Sequence, residues 1–571
     1  MRWIIGLTLF IFLYGFIPSA DPAYPLDFFQ APVNQPLRLS GTFGELRPNH
    51  FHSGIDIKGG IGVPILSAGD GFVARIRVAP DGYGNHLYIE HPNGYTSVYA
   101  HLLDFSPEIE AYVREMQFKQ ETFELELFPQ KDQFPVRRGQ FVGKMGSTGH
   151  SFGPHLHFEI RKTATDRPVN PLLFGLNVQD KIPPRLHEIK LYEFDQQGRP
   201  MKSTILPLVL KNGRYRLAAD RFKASGNLLG IAVKAYDHMD GVSNWNGIYE
   251  LNLFNDGALW YGFKMESFGF EETRYINAHL DYQEQRNRGS YFHRCFALPG
   301  NRLSIYLPSR NGLVPLLPGK INSLVASVKD AAGNESNLEF LVYKEEEASA
   351  GLQAPWAPYQ FFLPFDQPHV IDNHGLYVNF PAHIFYEDLY MQYSMRKDPL
   401  PGIYSLTHTL HNESFPVHRE YALGIRPDPI PVHLRDKAFI AHRSRGGIVN
   451  FGGQWQDDGM LLATVNTFGA FAVMVDTTPP RIEVDRFATD MRRFASMSFR
   501  IRDTISASGN LPNLKYRASI DGKWILMSYD EKNRRISHTF ADDLASGPHT
   551  LELEVSDAMG NTSVFKRNFF R

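Results

Sequence analysis

Polar and apolar residues alternate in short runs along most of the chain, the pattern of half-buried strands rather than of helices. In the first third the runs are Val63–Ala68, Gly71–Val78, His86–His91 and Tyr95–His101, resumed at Val136–Met145 and closed by residues 155–162. Gly82-Tyr83-Gly84-Asn85 and Pro92-Asn93-Gly94 read as hairpin turns between them. A compact antiparallel sheet structure is expected. One segment breaks the pattern. Ser106-Pro107-Glu108 offers an N-cap serine, a proline at the first helical position and an acidic first turn, so a helix is expected over Ile109–Leu127, inserted at residues 105–134.

The closing strand concentrates chemistry. After Pro154 the residues alternate, so His155 and His157 share a face with Glu159 behind them, while Leu156, Phe158 and Ile160 face a core. Two imidazoles on one polar face are half of a metal site, or one ligand beside one catalytic base. With 22 His in 571 residues, an H-x-H arises by chance roughly once, so the pair needs partners elsewhere. They stand upstream. His52-Ser53-Gly54-Ile55-Asp56 supplies an imidazole and a carboxylate, both good zinc ligands, with Gly54 expected to allow a tight bend. Tyr99-Ala100-His101-Leu102 closes another strand-like run, and Gly41–Arg47 reads as a loop at a groove rim.

After Asn170-Pro171 the chain leaves this unit, and an internal echo follows. Asp180-Lys181-Ile182-Pro183-Pro184-Arg185-Leu186 matches Asp476-Thr477-Thr478-Pro479-Pro480-Arg481-Ile482. Downstream of each, Asp330-Ala331-Ala332-Gly333-Asn334-Glu335-Ser336 matches Asp557-Ala558-Met559-Gly560-Asn561-Thr562-Ser563. These read as opening and late-hairpin marks of immunoglobulin-like sandwiches over 176–345 and 477–571. Between them lies a Tyr/Phe/Pro-rich β domain over 355–475, after an acidic linker at Glu345–Gln353. Its His408, His411 and His418 have no carboxylate at a ligand spacing and read as ordinary surface histidines.

Length and composition widen this picture only a little. A chain of 571 residues exceeds one core, and 43% apolar with 13% aromatic content is that of a folded protein. A net charge of −2 gives no reason to expect a nucleic-acid partner. Cys295 is the only cysteine, so disulfides within the chain and thiolate metal sites are excluded, and any metal must be held by His and carboxylate. At the N-terminus Arg2, an apolar run from Ile4 to Ile17 and Pro18-Ser19-Ala20 make a signal peptide over residues 1–20, cleaved near Ala20, and no cysteine follows to carry a lipid. The mature chain is expected to have no membrane span.

With these pieces placed, residues 40–175 resemble the lysostaphin/LytM-type zinc metallopeptidases, which hydrolyse peptide bonds in peptidoglycan. The likeness rests on His52-x-x-x-Asp56, Gly69-Asp70-Gly71, Gly82-Tyr83-Gly84-Asn85, Tyr99-Ala100-His101-Leu102, Gly146-Ser147-Thr148-Gly149 and Gly153-Pro154-His155-Leu156-His157-Phe158-Glu159, six blocks in the family's order. The resemblance implies a LytM-like catalytic domain over 21–175 in a mainly β chain, with one zinc ion held by His52, Asp56 and His157 and with His155 and His101 catalytic. It further implies peptidoglycan as the substrate and the periplasm or cell envelope as the location. The C-terminal sandwiches would position the enzyme there or bind an envelope protein partner. Because some family members lose ligands and activate other wall hydrolases, a silent envelope scaffold is the alternative reading.

Three protein ligands leave zinc an open position for water. The H-E-x-x-H helix of other zinc peptidases is absent, so no glutamate stands out as the base. Sequence leaves the division of labour between His155 and His101 open. Glu159 either orients a ligand imidazole or is a plain surface carboxylate. Tyr83 and Tyr99 are both candidates for the loop tyrosine that some family members use. His50 reads as a rim or solvent-facing residue and His86 and His91 as structural, while His150 lies in a Gly-rich loop near the site, where substrate contact is the minor reading. The insertion is expected to overhang the groove and limit substrate size.

Overall fold

The computed structural model describes residues 24–344, 358–508, 511, 514–540 and 544–571. The expected signal peptide and the linker at Glu345–Gln353 lie outside the described residues. Among those described, no helix is long and apolar enough to cross a membrane.

The first unit is built on a sheet whose main strands are β1 (Leu39–Gly41), β2 (Ile55–Lys58), β3 (Gly71–Val78), β4 (His86–Glu90), β5 (Tyr95–Ala100), β6 (Leu125–Leu127) and β7 (His155–Lys162), with a helix α1 (Pro107–Gln120) between β5 and β6. Their spatial order is β1-β2-β7-β5-β4-β3-β6, every pair antiparallel. Strand β7 is central. Its Leu156, Phe158 and Ile160 are wholly buried in one cluster with Ile55, Ile57, Leu87, Ile89 and Tyr99. Each such side chain contributes about 1.5–3 kcal/mol by leaving water.

That apolar face sets the register, and the register builds the opposite face. His157 stands across from Asp56 on β2 and from Ala100 on β5. Directly opposed residues lie about 4.5–5.5 Å apart, so Asp56 and His157 meet, with His101 one residue further on. A slip by one residue would turn Leu156, Phe158 and Ile160 out of the core, which is why the pairing holds.

The insertion starts as its sequence predicts and ends sooner. Ile109, Val113 and Gln117 form the buried stripe of α1, and Glu121 closes it in a left-handed conformation, its N–H donating to the Gln117 and Phe118 carbonyls. Residues Leu125–Leu127 are not helical but pair with β3, with Leu125 and Leu127 buried and Glu126 outside. The period-two pattern of Leu125-Glu126-Leu127 overrides helix propensity there. The Ser106 side chain makes no capping bond, although its carbonyl accepts the Glu110 N–H. The outer end of α1 meets the C-terminal segment, where Phe118 packs edge-on against Trp524 (5.5 Å) and Glu121 pairs with Arg517.

The rest of the described chain is mainly β, as expected, with short helices at Ile276–His279 and Tyr282–Arg288. Residues 185–344 supply an 11-stranded sheet, 361–475 a five-stranded sheet, a short pair and five strands of a six-stranded sheet completed by Ser506–Ala507, and 481–570 two four-stranded sheets over one core. The first unit docks on the sheet of 185–344. Phe43, Leu46 and Phe51 belong to the core of that sheet, Asn170 Nδ2 donates to the Met265 carbonyl (3.2 Å) and Arg167 pairs with Glu272 (3.0 Å). The Gly41–Arg47 segment is therefore not a groove rim. Phe43 is 2% exposed and its ring lies 4.9 Å from that of Phe268.

Candidate metal centre

Three ring and carboxylate atoms converge on the polar face of the sheet. His52 Nε2, Asp56 Oδ1 and His157 Nδ1 lie 3.0, 2.9 and 2.9 Å from one another, and all three residues are buried. The outer nitrogen of each histidine is tied elsewhere. His52 Nδ1 donates to the Thr42 carbonyl (2.8 Å) and His157 Nε2 to Glu159 Oε1 (2.8 Å). These partners fix the tautomers, so both inner nitrogens present lone pairs. Two lone pairs and a carboxylate oxygen within hydrogen-bond distance, with no donor among them, repel unless a proton or a cation lies between.

The ionisation states say the same. Asp56 is held well below the usual carboxylate range, because the imidazoles around it, His52 first, outweigh its burial. His157 is pushed up to about 9 by Asp56 and Glu159 against the pull of burial, while burial takes His52 down to about 4. The triangle thus holds one proton or one cation. Its nitrogen, nitrogen, oxygen donor set, in a buried setting, fits zinc.

Behind the triangle runs a second layer. Asp56 Oδ2 accepts from Arg47 Nη2 (2.7 Å), leaving Oδ1 for the centre. Glu159 is wholly buried, and its Oε1 accepts from His157, Ser53 Oγ (2.6 Å) and Tyr83 OH (2.6 Å). Its Oε2 accepts from Arg161 Nε (2.5 Å), and Arg161 and His157 hold this carboxylate ionised despite burial. Glu159 thus orients the His157 imidazole and is not a surface carboxylate. Gly54 has no special backbone angle. It is required because a Cβ there would stand 2.4 Å from the Phe158 carbonyl and 2.8 Å from Glu159 Cγ, so close approach rather than a bend explains it.

Glu159→Gln preserves shape and removes the charge that faces His157 Nε2–H. It is expected to weaken zinc affinity about 10–100-fold, read by competition with a chromophoric chelator. Unchanged affinity would show that Glu159 does not act through His157.

Two further imidazoles border the triangle. His155 Nδ1 donates to the Gly153 carbonyl (2.9 Å), leaving Nε2 3.5 Å from Asp56 Oδ1. His101 Nδ1 donates to the Thr148 carbonyl (2.8 Å), and its ring lies 4.7 Å from that of His155. Burial and the neighbouring imidazoles take His101 down to about 3, so it rests neutral. His101 also sits at φ +62, a conformation a non-glycine residue adopts at a cost. All five residues singled out from the sequence are therefore brought together. Of the two tyrosines, Tyr83 stacks on His157 (5.0 Å), whereas Tyr99 lies in the core with its hydroxyl on the Ala68 N–H.

The remaining histidines serve the fold. His86 and His91 are buried on the Gly84 and Asp70 carbonyls, and His50 is exposed. His150 lies on the outer rim 3.4 Å from Glu531, beside Lys532, whose Nζ donates to the Ser151 carbonyl (2.7 Å). His408, His411 and His418 are not surface residues as expected. His408 is 1% exposed and bonded to Tyr393 OH, and His418 stacks on Tyr275. Among the described residues, none of them enters a group able to hold a metal.

Sequence reasoning missed Thr42, Arg47 and Arg161. Arg161 continues the His155, His157, Glu159 alternation and could have been read from it. Thr42 and Arg47 carry no motif. Thr42 is itself held by the next unit, since its Oγ1 accepts from the Gly247 N–H (3.0 Å). The carbonyl that orients His52 is thus fixed from 205 residues away.

Two parts of the chain match known families. Residues 50–118 and 126–171 match peptidase family M23, and residues 360–476 match a Zu5-like domain. The chain is 35% identical over 144 residues to the DD-carboxypeptidase/endopeptidase Mpg of Neisseria meningitidis serogroup B, covering 24% of this chain and 27% of that protein. It is 30% identical over 162 residues to the peptidoglycan DD-endopeptidase ShyA of Vibrio cholerae, covering 27% of this chain and 32% of that one. A zinc-containing peptidase from Vibrio cholerae of known structure is similar over 25% of this chain and 39% of its own, at 30% identity and a TM-score of 0.20. The chain thus spans about a third or less of the length of the curated relatives named here.

Proposed function

We propose that this chain, whose residues 50–171 carry a domain of peptidase family M23, a family of zinc metallopeptidases, hydrolyses peptide bonds in peptidoglycan cross-links or stem peptides after export to the cell envelope. The observation that carries the reading is the convergence of His52 Nε2, Asp56 Oδ1 and His157 Nδ1, with two more imidazoles at their edge. His52, Asp56 and His157 would hold the metal. Bound there, zinc supplies a Lewis acid that polarises a carbonyl and makes water more acidic.

The chain's own residues account for the proton traffic. His155, with its proton on Nδ1 and bonded to Gly153, presents an unprotonated Nε2 beside the centre. It accepts the proton of the attacking water and returns it to the leaving amine. His101 is held in the same tautomer by Thr148, so it enters as an acceptor too and donates to a developing oxyanion only once protonated. The four imidazoles, each anchored on its outer nitrogen, are preorganised for this without help from substrate. An intact set of this kind favours an enzyme over a silent scaffold. The basic and apolar N-terminus supports export.

Mass spectrometry of purified cross-linked muropeptides tests the reading. The zinc-loaded protein is expected to convert dimers to monomers with a new amine and carboxylate at one peptide bond. Intact dimers after prolonged incubation with fully zinc-loaded protein would overturn it.

A further inference from the structure

Away from this centre, among the described residues, carboxylates meet in threes at two places. Asp180, Asp237 and Asp330 each bring an oxygen within 4.8 Å of the others, and so do Asp476, Asp503 and Asp557. The two groups are built alike. Asp180 and Asp476 open the repeated D-x-x-P-P-R motifs, and Asp330 and Asp557 open the repeated D-A-x-G-N motifs. The third member has no sequence motif, yet its place is the same. Strand β8 (Arg185–Phe194) pairs with β9 (Leu228–Tyr236), Arg185 opposite Tyr236, and Asp237 follows. Strand β10 (Arg481–Arg486) pairs with β11 (Ser496–Arg502), Arg481 opposite Arg502, and Asp503 follows.

The loops repeat bond for bond. Asn334 donates from its backbone to Asp330 Oδ1 (2.9 Å) and from Nδ2 to Asp330 Oδ2 (2.8 Å) and the Asp180 carbonyl (3.3 Å). Asn561 does the same to Asp557 (2.8 and 2.9 Å) and the Asp476 carbonyl (3.1 Å).

We propose that the two aspartate triads are sites for a hard divalent cation of the calcium type, one at the head of each repeated unit. Asp237 is 1% exposed, and among the described residues its Oδ1 has no hydrogen-bond partner while its carboxylate faces two others. A buried carboxylate oxygen left unpaired is costly, and a cation between the three removes that cost. The donors are oxygen only, without imidazole or thiolate, which suits calcium and not zinc. Burial and the neighbouring aspartates push Asp237 up to about 8 and Asp180 up to about 6, as expected of a cluster lacking its counter-charge. In the second triad the Lys437 charge acts on Asp476, and its Nζ donates to the Met559 carbonyl (2.6 Å). The first site is therefore the tighter.

Both sites stand at joints. Asp180 lies between the first unit and β8, and Asp476 directly follows the strand Gly469–Val475 and precedes β10. A cation at either would tie the incoming chain to a strand end and a hairpin loop, stiffening the passage from one unit to the next.

Calorimetry with calcium on the full-length, zinc-loaded and calcium-free protein is expected to count two ions per chain, and calcium is expected to raise the thermal unfolding temperature. Terbium tests the first site separately. The Trp245 ring is 4.7 Å from that of Tyr236, the neighbour of Asp237, so bound terbium should luminesce on aromatic excitation and be displaced by calcium but not by magnesium. Asp237→Asn should weaken the tighter site more than about tenfold and leave the other, with Asp503→Asn doing the reverse. The wild-type titrations do not depend on either variant folding. No calcium heat and no displaceable terbium signal in wild type, or two calcium ions bound unchanged by the double variant, would overturn the proposal.

Discussion

Replacing His157 by alanine is expected to lower zinc affinity more than about 100-fold and to remove muropeptide hydrolysis with it. The bound is set by the roughly 10–100-fold typical of losing only a partner behind a ligand, and here a proposed ligand itself goes. The substitution does more than delete one donor. Asp56 Oδ1 loses the neighbour with which it shares the proton or cation at the centre, and Glu159, wholly buried, loses the imidazole on Oε1 while keeping Ser53, Tyr83 and Arg161. Some destabilisation follows, because buried charges lose part of their compensation. His52→Ala separates the two effects, since it removes a zinc donor and leaves the His157–Glu159 pair in place. Both variants should fail to retain zinc by elemental analysis after dialysis, with His52→Ala the less destabilised in thermal unfolding. A zinc-free His157→Ala protein that still cleaves muropeptides at the wild-type rate would refute the assignment of this triangle as the reaction centre.

The parts of this site that were legible in the sequence share one physical property, which is that their geometry follows from strand periodicity. His155, His157 and Glu159 must share a face once Leu156, Phe158 and Ile160 take the core, and H-x-x-x-D and Y-A-H-L are short enough to be recognised as units. Register was not legible, because nothing local says that β7 pairs with β2 so that His157 faces Asp56. The support shell was still less so. Thr42 orients His52 through a backbone carbonyl, which any residue owns, and is fixed in turn by Gly247 of the next unit. Asp237 and Asp503 were invisible for a similar reason, since each becomes part of a triad only through a strand pairing. Where a local reading failed, two tendencies had competed. Residues 121–127 have helix-forming composition, but the sheet edge at β3 was open and the Leu125, Leu127 alternation fitted it.

His155→Ala is expected to keep zinc and lose turnover, with kcat falling by about 10²–10⁴, the usual contribution of a positioned acid–base group. The distinction from the His157 variant is structural. His155 Nε2 is 3.5 Å from Asp56 Oδ1, outside the 2.9–3.0 Å triangle, and its ring is the more open, at 15% exposure against 4% for His157. It can therefore reach a substrate while the three inner groups stay on the metal. His101 is the harder case. It lies deeper, its tautomer is held by Thr148, and it is kept neutral, so it offers only a lone pair until chemistry delivers a proton. If His155 is the carrier of that proton, His101→Ala should lower kcat less than His155→Ala does. Zinc content measured on the same samples is the control that makes the comparison decisive. Should His155→Ala keep both zinc and turnover while His101→Ala abolishes turnover, the two imidazoles would have to exchange roles.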